Sequence, residues 1–415
     1  MPIMIIDYIK SAGYNSLKMP HIRARYALPP LLKKIRYSPV VAMQGVRQCG
    51  KSTLARDLLP AELKGAVYRA FDSPSVLDGV MQRPESFLEG LSDHPTVIID
   101  EAQKAPQIFD AIKFRVDQDR RPGQYLLLSS TEFSKLMRIR ESLTGRLSRL
   151  RLYPMVSGEI AKLSLKDGGP FFLNSSPRIS RKDWLLYLRR GGMPAMFATR
   201  SDEEWRGKAE DWIALTVERD VHQVPGKKTD SARMMRVLRE VVVSADPQAS
   251  HIAKALRFSP VMVRSYIEIL QVLFVIHRIE PHPAGTGKPR YYLCDPGLAT
   301  ALGASFERQL ETAFYTEQLA KLSYRSLEGG VQFSYYRSPK GSIIHGVWEQ
   351  DREVSLLKLF PAETIDEREL LILNTTRLKL SSRGEAPAGK SYFLSGSAHK
   401  ETVNGVIALP WESLG

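Results

Sequence analysis

A chain of 415 residues is longer than one hydrophobic core usually spans, so two to four domains are expected. Hydrophobic residues make up 43% and charged residues 25%, an ordinary globular balance, and two cysteines exclude a disulfide framework. The formal charge of +14 points to an anionic partner (nucleotide, nucleic acid or anionic surface) or to a bland surplus of solvated lysine and arginine. The opening MPIMIIDYIK lacks the basic start and apolar core of a signal peptide. The longest apolar stretch, near 269–276, is too short to cross a bilayer. The expectation is a cytoplasmic protein with no membrane partner.

Residues 1–37 read as a lead-in that packs on the core with little chemistry of its own; 4–9 form a short helix or strand. The first informative stretch is VVAMQGVRQCGKSTL, 40–54. Val40–Met43 reads as a buried parallel strand. Gly45 follows, then four residues, then Gly50-Lys51-Ser52, and 52–59 has helical character up to Pro60. This is the phosphate-binding loop pattern: glycines let backbone N–H groups approach phosphates, and a helix start favours negative charge. Lys51 would reach the β- and γ-phosphates and the Ser52 hydroxyl would hold Mg²⁺. Gly45, Gln48, Gly50, Lys51, Ser52 and Thr53 are the candidate nucleotide-binding residues. The bland alternative is a glycine turn before an ordinary helix.

Further strands are expected at 66–71, 96–99, 125–128 and 147–152, with helices at 76–90, 105–119 and 134–143. Strands alternating with helices predict an α/β fold, a parallel sheet covered on both faces, with ligands at the carboxyl ends of the strands. Asp100-Glu101 ends one strand. An acid there can hold Mg²⁺ through water, and the next glutamate can orient the attacking water; a solvated acidic turn is the alternative. Ser129 and Ser130 end the following strand, where a serine touches a γ-phosphate or simply closes a strand. Arg146 follows Ser142-Leu143-Thr144-Gly145 and is a candidate arginine finger. Arg138, Arg140, Arg149 and Arg151 lie close by, so a plain basic patch is the competing reading.

Together, GVRQCGKSTL, VIIDEAQKAP, YLLLSS and ESLTGR resemble a bacterial and archaeal family of AAA-type P-loop ATPases whose members carry a C-terminal region of unknown function. The resemblance continues in YLRRGGMPAMF (187–197), VERDV (217–221) and the segment 237–302. It implies that Lys51 and Ser52 bind ATP, Asp100 serves Mg²⁺, Glu101 serves hydrolysis and Arg146 is the finger. Family members commonly have Thr-Gly-Ser where this chain has Leu128-Ser129-Ser130; Ser130 matches the family serine, and the sensor threonine is missing. Cys49 stands where a small or aliphatic residue is usual. It reads as a neutral variant that presents mainly backbone, with a thiol that would make binding sensitive to oxidation.

The C-terminal half divides by pattern and by the same resemblance. Residues 38–160 form the ATPase core and 161–230 a helical lid, broken at Gly191-Gly192-Met193-Pro194. Arg178, Arg181, Lys182, Arg189 and Arg190 charge the lid for nucleic acid or for solvent. Residues 231–303 read as a winged helix-turn-helix: helices at 231–243 and 251–256, then a third capped by Ser259 with Pro260 first. Arg257 and Arg264 are its available DNA contacts, but Val261-Met262 suits base reading poorly. Contact with protein is the equal alternative. Residues 304–415 resemble the nuclease-like fold that ends many members. Glu317 fits its helix glutamate, but His345 stands for the expected Asp and Ser355 for the expected Lys, with Lys358 out of register. The expectation is a degenerate nuclease fold used for binding or assembly, with no metal of its own. The function expected is Mg-dependent ATP binding and hydrolysis that drives conformational change in C-terminal DNA- or protein-binding domains. The alternative is a nucleotide-gated binding module with slow hydrolysis. If Arg146 acts across subunits, activity needs a homo-oligomer.

Overall fold

Five short strands dominated by Val, Ile and Leu build the first sheet. They are β1 (Val40–Gln44), β2 (Val67–Ala70), β3 (Val97–Asp100), β4 (Tyr125–Ser129) and β5 (Leu147–Arg151). The computed structural model describes residues 23–133, 143–165, 169–224, 229–325, 330–351, 353–363, 366–382, 388–397 and 400–415. The lead-in before residue 23, the helix expected at 134–143 (apart from Leu143), Arg138 and Arg140 lie outside the described residues.

The sheet order is β2-β3-β4-β1-β5, and every neighbouring pair is parallel. β1, β3 and β4 are buried along their whole length, as unbroken apolar runs between two helical layers require. One face is filled by Ile108, Phe109, Ile112 and Val116 of the helix Ile108–Gln118 against Val40, Ala42, Ile99 and Leu127. Because all five strands run the same way, Gly45, Phe71, Glu101 and Ser130 emerge at one edge of the sheet. The stretch expected as one helix over 76–90 is two, Pro74–Gln82 and Pro84–Glu89, since Pro84 cannot continue the ladder of the first. After Gly50 the helix is α for Lys51–Thr53, widens to a π turn over Leu54–Leu58 and tightens to 3₁₀ at Leu59–Ala61.

By its internal contacts the chain forms two units. The first is Met1–Pro154 with Met193–Ala195 and Val272–Phe274; the second is the remainder. In the second unit, helices Ser231–Val243, Ala249–Leu256 and Pro260–Val272 precede an antiparallel hairpin of β6 (Ile276–Ile279) and β7 (Arg290–Leu293). The long helix Phe306–Tyr324 then leads into a mixed sheet of β8 (Gln332–Arg337), β9 (Ile343–Gln350), β10 (Glu353–Leu359), β11 (Ala388–Ser395), β12 (Glu401–Val403) and β13 (Val406–Pro410). Its order is β12-β13-β11-β10-β9-β8. β8, β9 and β10 form an antiparallel meander, and the helix Glu367–Ser382 crosses over so that β11 pairs parallel to β10.

Within the segment read as a lid, one helix packs by its aromatic face. Trp184, Tyr187 and Leu188 of the helix Arg181–Arg190 share one apolar core with Phe314, Tyr335, Leu394 and Trp411. An amphipathic helix with that much aromatic surface is held by burial, so it belongs to the body of the second unit. Its charge is also spoken for. Arg181 pairs with Glu412 at 2.6 Å, and Arg189 and Arg190 both reach Asp202 at 2.7 Å. Among the described residues no helix is long and apolar enough to cross a membrane.

Candidate functional site

The loop after β1 is shaped by two glycines and one lysine. Leu152 O lies 2.1 Å from where a Cβ on Gly45 would sit, so only glycine lets the loop leave the sheet here. Gly50 has φ +103°, a left-handed conformation that costs other residues strain. Gln48 also takes positive φ and is exposed at the loop tip, while Thr53 is half-buried on the helix. Lys51 is 5% exposed. Its ammonium donates to Gly45 O at 2.8 Å and Val46 O at 3.0 Å, and among the described residues no carboxylate pairs with it. A cation is thus buried among backbone carbonyls, an arrangement that costs free energy until an anion arrives.

The loop is braced from behind. Arg25, buried, donates to Cys49 O at 2.8 Å and to Tyr153 O at 2.6 Å. This end of the lead-in supports the loop through a residue that sequence reading passed over because no periodicity marks it. Cys49 is fully buried, its thiol 3.5 Å from Leu152 O, so its side chain packs into the loop's support and is closed to solvent.

The acidic side comes from β3 and β4. Asp100, 4% exposed, accepts the Glu101 N–H at 2.9 Å through Oδ1. Its Oδ2 accepts the Tyr68 hydroxyl. Tyr68 thus holds one of the two residues expected to serve Mg²⁺. Burial first, and then the bond to Asp100, pushes the Tyr68 phenol far above its ordinary range and keeps it a donor. Glu101 takes a left-handed backbone (φ 53°), and its carboxylate accepts Ser130 Oγ at 3.1 Å and the Gln103 amide. The two strand-end serines thus part ways. Ser130 faces Glu101, whereas Ser129 is buried and folds onto Thr131, donating to its carbonyl at 2.9 Å.

Lys51, Ser52, Asp100, Glu101 and Ser130 therefore meet at one edge of the sheet, with Tyr68 among them. Arg146 does not join them. It precedes β5, and its carbonyl accepts the Val40 N–H, which places it at the opposite edge, about 16 Å of strand away from Gly45. Its guanidinium is held by Asp117 in two bonds of 2.6 and 2.8 Å and depresses that carboxyl. Within one chain Arg146 cannot reach the phosphate loop. Tyr68 escaped notice because it becomes visible only once β2 is known to pair with β3. Ala70 then lies opposite Asp100, and Tyr68, two residues earlier, shares its face.

In the second unit the nuclease-like positions are each bonded within the protein. Glu317 is fully buried, accepts Ser157 N–H at 2.6 Å and pairs with Lys321 at 3.0 Å. His345 Nε2 meets Glu311 at 3.1 Å, while its Nδ1 accepts the Leu359 N–H at 3.1 Å. Glu311 also pairs with Arg308 and, at 3.5 Å, with Arg290; these cations hold its carboxyl far below the usual range in spite of burial. Lys358 donates to Ile343 O at 2.8 Å and pairs with Glu369 at 2.8 Å, while Ser355 is buried and accepts the Lys390 N–H at 3.1 Å. Arg257 and Arg264 are exposed at the start of the third helix, beside Val261 at 69% exposure. Among the described residues no group of three or more His, Cys, Asp or Glu is set to hold a metal.

Residues 37–161 match the family model of an AAA domain, and residues 181–311 match a domain of unknown function (DUF8612). Two curated relatives, uncharacterized proteins of Mycobacterium bovis and Mycobacterium tuberculosis, are each 29% identical over 324 residues. That match covers 72% of this chain and 66% of either relative, just under two thirds of their length. Among solved structures, the Walker-type ATPase of Pyrococcus abyssi is 15% identical, with a TM-score of 0.43 over 68% of this chain and 96% of that one. A STAND-type signal transduction ATPase with a tetratricopeptide repeat sensor, from Pyrococcus horikoshii, is 12% identical, with a TM-score of 0.29 over 74% of this chain and 48% of that one. The family match and the parallel sheet together make residues 37–161 a P-loop nucleotide-binding domain of the AAA type.

Proposed function

We propose that the chain binds Mg²⁺ and ATP at the Gly45–Ser52 loop and hydrolyses the nucleotide, and that this cycle drives conformational change in its C-terminal domains. The observation that carries the reading is the Lys51 ammonium, buried on loop carbonyls without an acid beside it. Phosphate oxygens are the partner its position lacks. The donor set also suits the metal. Ser52 brings a hydroxyl from the helix after the loop and Asp100 a carboxylate from the end of β3, oxygen donors of the kind a hard cation takes. Ser52 and Asp100 would hold Mg²⁺, which when bound supplies charge neutralisation at the phosphates.

The remaining work falls to the chain's own groups. Lys51 exchanges its carbonyl partners for phosphate oxygens and stabilises the charge that develops on them. Glu101 orients the attacking water, and Ser130 and Gln103 fix where its carboxylate points. Arg146 acts only from a second copy, since its own edge of the sheet faces away from its own loop. In that reading a homo-oligomer is the active form. Helices 231–243, 249–256 and 260–272 with the hairpin β6–β7 are read as a winged helix, and the order helix, three strands, helix, strand from 306 to 395 as a degenerate nuclease-like fold that lacks the expected strand Asp and Lys. DNA and protein are both retained as partners. The exposed Arg257 and Arg264 support the first, and the exposed Val261 the second.

The test is ATP turnover by the full chain, Lys51→Ala and Glu101→Gln, with and without duplex DNA. Glu101→Gln is expected to lose about a hundred-fold or more in turnover while keeping nucleotide affinity. Equal turnover in wild type and Glu101→Gln under every condition would refute hydrolysis at this site.

A further inference from the structure

Tyr68 has no part in the reading above, yet it occupies the centre of the site. Its hydroxyl donates to Asp100 Oδ2, and the ring is half-buried on β2 beside β3. Asp100 has one oxygen on the Glu101 N–H and the other on this phenol. A metal ion that draws on Ser52 and Asp100 has to share or take the space of the phenol oxygen. Resting on the nucleotide-binding reading, the geometry points to Tyr68 as a positioning residue that competes with Mg²⁺. The phenol holds the Asp100 carboxylate and releases it when the metal–nucleotide complex binds.

Such a residue has a definite consequence. It keeps the Asp100 carboxylate satisfied inside the protein when no cation is there, where an unpaired buried charge would be costly. It also sets a threshold, because metal binding must first break a hydrogen bond to a charged group. Nucleotide without metal engages Lys51 and the loop backbone and leaves the phenol in place. Tyr68 therefore tunes the dependence on Mg²⁺ and leaves the affinity for bare nucleotide alone.

The experiment uses the full chain and a fluorescent ADP analogue, titrated in EDTA and then over a range of Mg²⁺. Tyr68→Phe keeps the ring and removes the hydroxyl. The expected result is unchanged affinity in EDTA and half-saturation at about ten-fold less Mg²⁺ than wild type. A Tyr68→Phe midpoint equal to or higher than wild type overturns the competition. If Tyr68→Phe destabilises the fold, Tyr68→Leu, which also lacks the hydroxyl, reads the same midpoint. Wild type that binds no nucleotide at all overturns the proposal together with the reading beneath it. Wild type that binds with a Mg²⁺ dependence shared by Tyr68→Phe overturns this proposal alone.

Discussion

Two polar clusters in this chain are built from similar residues to opposite ends. At the edge of the first sheet, Lys51 is buried on carbonyls with no acid beside it, while Asp100 and Glu101 are held by neutral donors. Against the last sheet, each buried carboxylate already has its cation: Glu311 has Arg308 and Arg290, and Glu317 has Lys321. The first arrangement leaves charge to be satisfied by something that binds. The second is neutralised internally, and its worth lies in stability and specificity of packing. Residue type does not separate the two; the company each charge keeps does.

The comparison can be broken by substitution, and the largest effect is expected in the second cluster. Glu311→Ala leaves two guanidinium groups and an imidazole without their acid and should cost about 3–5 kcal/mol of stability, read by denaturant unfolding. Nucleotide affinity of the folded fraction should not change. Lys51→Ala should do the reverse. Affinity for the fluorescent ADP analogue falls by about a hundred-fold as charge-assisted bonds are lost, while the melting temperature holds or rises because a buried charge is removed. A fall in melting temperature as large as that of Glu311→Ala would erase the distinction between the clusters.

A smaller effect concerns pH. Burial outweighs the Glu311 carboxylate and lowers the His345 pKa below its ordinary 6.5. The unfolded chain then takes up the proton first, so this contribution to stability is full above about pH 6.5 and is lost as pH falls through the folded value. Melting temperature should drop on going from pH 7.5 to 5.5, and His345→Gln, which keeps a hydrogen-bonding side chain, should lessen the drop. No comparable change with His345 is expected in nucleotide affinity. The smallest effect is at Arg146. Because it sits at the far edge of its own sheet, Arg146→Ala should leave affinity within about two-fold of wild type. Turnover should fall only under conditions where wild-type turnover rises with protein concentration.

Much of this site was legible in the sequence, for a physical reason. A phosphate loop is made by contiguous residues, so Gly45, Gly50, Lys51 and Ser52 declare themselves by spacing alone. Asp100-Glu101 and Ser130 were readable because a buried strand must end in polar residues where it meets solvent. The strand-helix alternation likewise announced a parallel sheet. What stayed hidden depended on neighbours distant in sequence. Tyr68 needs the β2–β3 pairing, Arg25 needs the chain to pass behind the loop, and Arg146 needs the direction of β5. The helix Arg181–Arg190 looked like a charged lid because its aromatic face had no visible destination.

Local chemistry, then, was settled by the sequence: a loop that suits phosphate, a strand end that suits a divalent cation, and a glutamate next to it. Short-range geometry follows from the residues themselves, because glycine alone tolerates the turns that loop requires. Only the tertiary structure decided which charges are answered. It gave Glu311 and Glu317 their cations, set Lys51 on backbone carbonyls, laid the Tyr68 hydroxyl on Asp100, and carried Arg146 to the edge away from its own loop. Those outcomes rest on strand order and direction, which are fixed by burial across the whole chain and leave no mark in any one stretch of it.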